Sequence, residues 1–374
     1  MLPSYFWFHY LDQWRRAQGR ALDRLGLGPQ ESPFHIVFEQ PGLRLRWYGN
    51  GAGGKPPLLI VPAPIKRPYI WDLAPESSVV RRALEHQFDV YMVEWTEPEP
   101  GAHGPGLADY AGAMLGACID EVRAGSGADK VFLAGHSLGG IFAALHSAYR
   151  PRQVAGLVLV DVPMSFTATA WAATAVEPGD SHRQAVWPPS RVPGSLLGMA
   201  SGSARPRDLC TDRYMDCVAS FASREQAISH WRVERWTLDE LAMSRQLFDD
   251  VIHHLHRNNR FMRGELIFHG ARLHPSHVTA PLFSIFHPSG GIVPAESVTA
   301  FHKAAGSEVK ELAAYPGDIG VALQHVGPLV GRNAHRHIWP RVFAWLDRIS
   351  AQLPAAAGGE HRRTPPERGN AVLT

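Results

Sequence analysis

Six consecutive residues, Gly135-His136-Ser137-Leu138-Gly139-Gly140, hold the clearest chemical signal in the chain. They contain Gly-x-Ser-x-Gly, preceded by the apolar run Val131–Ala134 and followed by the helix-forming stretch Ile141–Ala148. A serine at a sharp strand-to-helix turn is held in a strained backbone conformation with its Oγ exposed at the end of the strand. Glycines two positions to either side remove the Cβ atoms that would meet the helix and the neighbouring strand. Ser137 is therefore the candidate nucleophile. A serine hydroxyl is a weak nucleophile at its own pKa, so an adjacent base and a group that orients that base must come from elsewhere.

The elements that would carry them can be read from hydrophobic patterning. Residues 5 to 25 read as a helix with Phe6, Tyr10, Leu11, Trp14 and Leu22 on or near one face, suited either to packing on its own domain or to docking on a lipid or polymer surface. His35–Phe38 and Leu43–Tyr48 flank a Pro-Gly turn and read as a hairpin. Leu58–Val61, Phe88–Trp95, Val131–Ala134 and Val154–Val160 are short runs rich in apolar residues, of the kind parallel sheets bury on both faces. Helical stretches separate the later ones, including Leu107–Val122. This alternation implies right-handed crossovers and a doubly wound, mostly parallel sheet. It stops at Pro163. Residues 164–275 contain helical segments such as Leu238–Arg257 but no buried-strand pattern before Gly264, and read as an inserted, mainly helical cap. The sheet resumes at Pro281–Phe286 and Val309–Ala314, and a last helix runs from about Ala334 to Leu353. The expected organisation is an N-terminal helix in 1–30, a core in 31–163 and 276–353, a cap in 164–275 and a disordered tail in 354–374. A Gly-x-Ser-x-Gly elbow in such a sheet resembles the α/β-hydrolase fold.

In that fold the histidine follows the last strand and the acid follows the strand before it. Among 20 histidines, His325 lies beyond the final strand and before the final helix. The alternative is a surface-loop histidine. The loop His287–Pro294 holds no carboxylate, so the acid must come from another place. Asp161 ends the Val154–Val160 strand and can reach the same histidine, keeping the chain order Ser137, Asp161, His325. It could equally cap the following loop; Asp318 and Glu94 are weaker candidates. Two backbone N–H groups must hold the oxyanion. Leu138, next after the serine, supplies one. The loop after Leu58–Val61 supplies the other, from Ala63 or Ile65, because Pro62 and Pro64 lack an N–H; Ile65 is favoured.

Other groupings are weaker. His253-His254-Leu255-His256 and His335-Arg336-His337 lack a His-Glu-x-x-His spacing and read as helix-surface histidines, so no metal is expected. Gly51–Gly54 precedes a strand and reads as a turn, and no cofactor is expected. The formal charge of +2, without a basic block outside the tail, argues against nucleic acid as a partner. Three cysteines without paired spacing (Cys118, Cys210, Cys217) suggest a reducing compartment. The aromatic N-terminus does not read as a signal peptide, and no run approaches the roughly 18 apolar residues that span a bilayer. The expected location is cytoplasmic. Oligomeric state is not legible.

Together these segments resemble the poly(3-hydroxyalkanoate) synthase family over roughly residues 56–350. Pro57–Pro62 with Arg67–Leu73, Asp89–Trp95, Asn259–Leu266 and Val278–Pro281 are similar to that family's segments in the same order. Three differences matter. The synthases carry cysteine where this chain has Ser137. Their acid precedes a His-Leu-Val-Pro-like segment, where Gly290–Pro294 stands. Their histidine follows Pro-Gly-Gly, which would align with Asp318; a short insertion places His325 there instead, in a Gln324–Gly331 segment resembling the family's histidine box. A thiolate suits repeated acyl transfer, whereas a serine ester is commonly resolved by water. The resemblance thus implies a serine-dependent hydrolase of an acyl ester or acyl-CoA thioester, with a 3-hydroxyacyl unit as one candidate. The alternatives are polymerising acyl transfer and a non-catalytic relative that binds granules or a synthase.

Overall fold

A computed structural model describes residues 3–49, 55–98, 104–166 and 191–353. The strands are β1 (His35–Gln40), β2 (Leu43–Trp47), β3 (Leu58–Val61), β4 (Val90–Trp95), β5 (Val131–His136), β6 (Val154–Val160), β7 (Arg191–Val192), β8 (Met243–Ser244), β9 (Leu266–Phe268), β10 (Ala271–Leu273), β11 (Leu282–Phe286) and β12 (Lys310–Ala314). The helices are α1 (Pro3–Arg24), α2 (Val79–Glu85), α3 (Leu115–Ser126), α4 (Ser137–Tyr149), α5 (Gly194–Ala204), α6 (Asp212–Ser220), α7 (Arg224–Thr237), α8 (Arg245–Asp250), α9 (Ala295–Ala304), α10 (Gly327–Val330) and α11 (Trp339–Gln352).

Eight of these strands form one sheet in the order β1-β2-β4-β3-β5-β6-β11-β12. The β1–β2 and β2–β4 pairs are antiparallel, and the remaining pairs are parallel. The central strands β3 to β6 are buried along their whole length, so both faces must be covered. Alternate residues go to opposite sides, as the period-2 pleat requires. Leu59, Val61, Leu133 and Leu157 pack with α3 and α4, while Ile60, Phe132, Ala134 and Val158 pack with α2 and α11. This is the α/β fold the strand pattern implied.

Between β6 and β11 the described chain supplies α5 to α8, the two-residue pair β7–β8 and the hairpin β9–β10. The helix expected over Leu238–Arg257 is placed differently. α7 ends at Thr237, Met243–Ser244 are extended, and Ser244 caps a new helix by accepting from the Leu247 amide. Residues 251–257 then continue it in π geometry. The expected tail and the Gly51–Gly54 turn lie outside the described residues.

The N-terminal helix is present, but its aromatic face is not what it buries. Tyr10 and Trp14 are exposed, with Trp7 beside them. The attachment is polar. Arg15 donates to Ser195 Oγ on α5 at 3.0 Å and to the Leu238 carbonyl at 2.7 Å, while Asp12 accepts from the Ser195 amide at 2.9 Å. Asp23 pairs with Arg235 of α7 at 2.7 Å. Asp12, Arg15 and Asp23 fall at spacings of three and eleven residues, which places them on one helix face. No described helix is long and apolar enough to cross a membrane.

Candidate active site

β5 runs directly into α4 at Ser137, whose φ of 53° lies in the left-handed region. A non-glycine residue there costs on the order of 1–3 kcal/mol and persists only where its surroundings impose it. Two glycines show what imposes it. A Cβ on Gly135 would sit 2.5 Å from Gly140 Cα, and one on Gly139 would sit 2.1 Å from the Val61 carbonyl oxygen. The turn is therefore pressed against its own helix and against the end of β3.

The second left-handed residue among the candidates is Asp161, with φ 48°, just past the end of β6. Its side chain is 1% exposed, and it lies against the end of β11. The Asp161 amide donates to the Ile285 carbonyl at 2.8 Å, and its Oδ1 accepts from the His287 amide at 3.4 Å. Oδ2 is 2.6 Å from His325 Nδ1. An ionised carboxylate can only accept, so Nδ1 carries the proton and Nε2 keeps its lone pair. A carboxylate that the β11–α9 loop lacks thus stands one strand away, at the end of β6, hydrogen-bonded to His325.

His136, between Gly135 and the serine, was not singled out from sequence. Its ring lies 4.4 Å from that of His325, centroid to centroid. Its Nε2–H donates to the His325 carbonyl at 3.0 Å, because a carbonyl only accepts. Burial pushes its pKa well below the ordinary histidine value, and His325 beside it acts in the same direction. His136 is therefore neutral, so it ties the β12–α10 loop to the nucleophile turn without adding charge. The signal available in sequence was adjacency to Ser137 alone.

Leu138 follows the serine at the start of α4, where helix N–H groups lack intrahelical partners. The loop carrying Ala63 and Ile65 leaves β3 beside Gly139 and is anchored on both sides. Trp95 Nε1 donates to the Pro62 carbonyl at 2.8 Å, and the Leu241 amide donates to the Ile65 carbonyl at 2.9 Å. Lys66 reaches Glu240 at 3.0 Å, and burial lowers its pKa.

The weaker acids are engaged elsewhere. Asp318 accepts from Tyr315 Oη and the Asn333 amide, both at 2.9 Å. Glu94 pairs with Arg46 at 2.7 Å. Among the described residues no group of three or more histidine, cysteine or acidic side chains is arranged to hold a metal ion. His335, expected on a helix surface, is buried instead: its Nε2 donates to the Leu329 carbonyl at 2.7 Å, and Arg82 Nε donates to its Nδ1 at 3.0 Å. Cys118 is buried, Cys217 is half-buried and Cys210 is exposed; all three are free thiols.

Residues 56–281 match the family described as the alpha/beta hydrolase fold. The chain is similar to the poly(3-hydroxyalkanoate) polymerase subunit PhaC of Allochromatium vinosum, with 28% identity covering 84% of this chain and 88% of the relative. The same-named subunit of Haloferax mediterranei is 26% identical, covering 96% of this chain and 72% of the relative. Among solved structures, a monoacylglycerol lipase of Paleococcus ferrophilus superposes with a TM-score of 0.52 at 16% identity, covering 82% of this chain and 99% of the lipase. A carboxylesterase structure from Nitrososphaera gargenis gives 0.51 at 14% identity, covering 86% of this chain and all (100%) of that one. These last two likenesses concern the fold.

Proposed function

The chain belongs to the alpha/beta hydrolase fold family, and on that premise we propose that it hydrolyses an acyl ester or acyl thioester through an acyl-enzyme on Ser137. The observation that carries this reading is the 2.6 Å hydrogen bond between Asp161 Oδ2 and His325 Nδ1. It leaves Nε2 as the base, and it joins the two helper groups at the carboxyl end of the parallel strands, where Ser137 also stands.

The chemistry follows. His325 Nε2 takes the proton from Ser137 Oγ as the oxygen attacks the acyl carbon. The resulting oxyanion is held by the Leu138 N–H and the Ile65 N–H; each such donor is worth about 10²–10³ in rate. His325 returns the proton to the departing alcohol or thiol, and Asp161 stabilises the imidazolium in between. Water then enters with His325 again as base, releasing the acid and restoring Ser137.

The likeness to polymerase subunits supports a second reading, in which a hydroxyl of a growing polyester replaces water as the acceptor. Serine in place of cysteine favours water, because the oxygen ester exchanges less readily than a thioester with further substrate. Incubation with 3-hydroxybutyryl-CoA separates the two. Free CoA with monomeric 3-hydroxybutyrate is the expected outcome, and insoluble polymer overturns hydrolysis in favour of synthesis. Turnover of neither this thioester nor a panel of acyl esters, or full turnover by Ser137→Ala, overturns the catalytic reading altogether.

A further inference from the structure

His325 sits near the end of a long connection. Residues 315–326, between β12 and α10, form neither helix nor strand. Part of this connection is braced from within: the Gln324 side chain donates to the Asp318 carbonyl at 2.7 Å and accepts from the Asp318 amide at 3.2 Å. The stretch between those two residues is held from outside, by the region between β6 and β11. Asp216 of α6 accepts from the Gly320 amide on Oδ1 and from the Ala322 amide on Oδ2, both at 2.8 Å. Its Oδ2 also accepts from His230 Nδ1 on α7 at 2.7 Å. The side chains of Asp216 and His230 are 9% and 2% exposed. The contact is close-packed as well: a Cβ on Gly320 would lie 2.6 Å from the Gln226 carbonyl oxygen of α7. Ala322 is held at a φ of 55°, where a side chain is strained, so its backbone depends on its surroundings to persist; Gly320, at 86°, takes that conformation freely.

We propose that Asp216 is a positioning residue: by gripping Gly320 and Ala322 it sets His325, three residues further on, against Asp161. The proposal rests on the reading of His325 as the base. It makes alignment of that base conditional on docking of α6 and α7, so that displacing these helices loosens the histidine without touching it. The carboxylate is specifically required, because its two oxygens receive the two amides separately. An asparagine offers one acceptor oxygen and would point an N–H₂ at the second amide.

The test uses the full chain as wild type, Asp216→Asn, Asp216→Glu and Glu234→Gln. Glu234 pairs with Arg213 in the same helices and lies 3.7 Å from His230 Nε2, on the far side of that ring from Asp216, so its variant tests whether general disturbance of this region, His230 included, is enough. Three readouts are taken together: melting temperature, kcat and KM on a 4-nitrophenyl acyl ester, and the downfield proton resonance of His325 Nδ1–H, identified by its loss in His325→Ala. The expected result for both Asp216 variants is a kcat lower by about a hundredfold with KM within about twofold, as misplacement of a reacting group by about 1 Å produces, together with loss or broadening of the resonance. Glu234→Gln should keep both signals. Wild-type kcat and resonance in either folded Asp216 variant overturn the proposal, as does equal loss in Glu234→Gln. The resonance separates the two ideas: if wild type shows it without Ser137-dependent turnover, the functional reading fails, and Asp216 is still judged on whether its variants lose the signal.

Discussion

Ser137 and Asp161 are both held at positive φ, 53° and 48°, where an L side chain is strained. Strain at these two positions, the nucleophile and the acid of the proposed mechanism, is what a preorganised site stores. The buried Asp161 carboxylate fixes the His325 tautomer, so its removal acts on orientation and charge without emptying the site. Asp161→Asn should therefore fold and bind ester with little change in KM while kcat falls by about three to four orders of magnitude, the scale seen when a triad acid is made neutral. Steady-state kinetics on a 4-nitrophenyl ester measure this. A loss under tenfold would mean that another carboxylate orients His325. Sequence could pair Asp161 with His325 because topology puts the ends of β6 and β11 side by side. It could not reveal His136 as the neutral brace of the histidine loop, because that role follows from a hydrogen bond across 189 residues.

At the scale of elements, the nucleophile turn works because β3, β5 and α4 meet without intervening side chains. Gly139→Ala would drive a Cβ against the Val61 carbonyl, which belongs to a central strand and cannot give way. The expected cost is about 1–3 kcal/mol, the usual range for overpacking, with loss of esterase activity as the elbow shifts. Gly202→Ala is the control. It lies in α5 with nothing within 4 Å of the added methyl, and should be neutral or slightly stabilising. Equal urea midpoints for the two variants would contradict the close packing. The strands were legible because runs such as Leu58–Val61 and Val154–Val160 have one interpretation in a sheet buried on both faces. The boundaries of the helices between β6 and β11 were not. Arg224–Thr237 mixes arginine, glutamate and tryptophan, and its boundary with α8 depends on Ser244 acting as a cap. Likewise the aromatic residues of α1 suited either packing on the domain or docking on a surface, whereas Asp12, Arg15 and Asp23 make the attachment.

Across the described residues, several buried or half-buried histidines are held neutral. Burial lowers His335 and His256 to about 4, and it also lowers His136 and His146. In the unfolded chain these groups titrate near 6.5. As pH falls from about 6.5 towards 4, the unfolded state takes up protons that the folded state refuses, so stability is full above this window and declines within it. Each such site contributes up to about 1.4 kcal/mol per pH unit. Urea unfolding should show a clearly lower midpoint at pH 5 than at pH 7.5, and an unchanged midpoint would mean that these rings are accessible to protons in the folded state.

Activation of Ser137 by the Asp161–His325 pair is the central step of the proposed mechanism. Labelling with a fluorophosphonate, followed by peptide mass spectrometry, reads this most directly, because the reagent captures an activated serine whatever the natural acyl group is. The predicted result is a single adduct on Ser137 in wild type, none in Ser137→Ala, and markedly slower labelling in Asp161→Asn. An adduct on another residue, or equal labelling rates in wild type and Asp161→Asn, would contradict it.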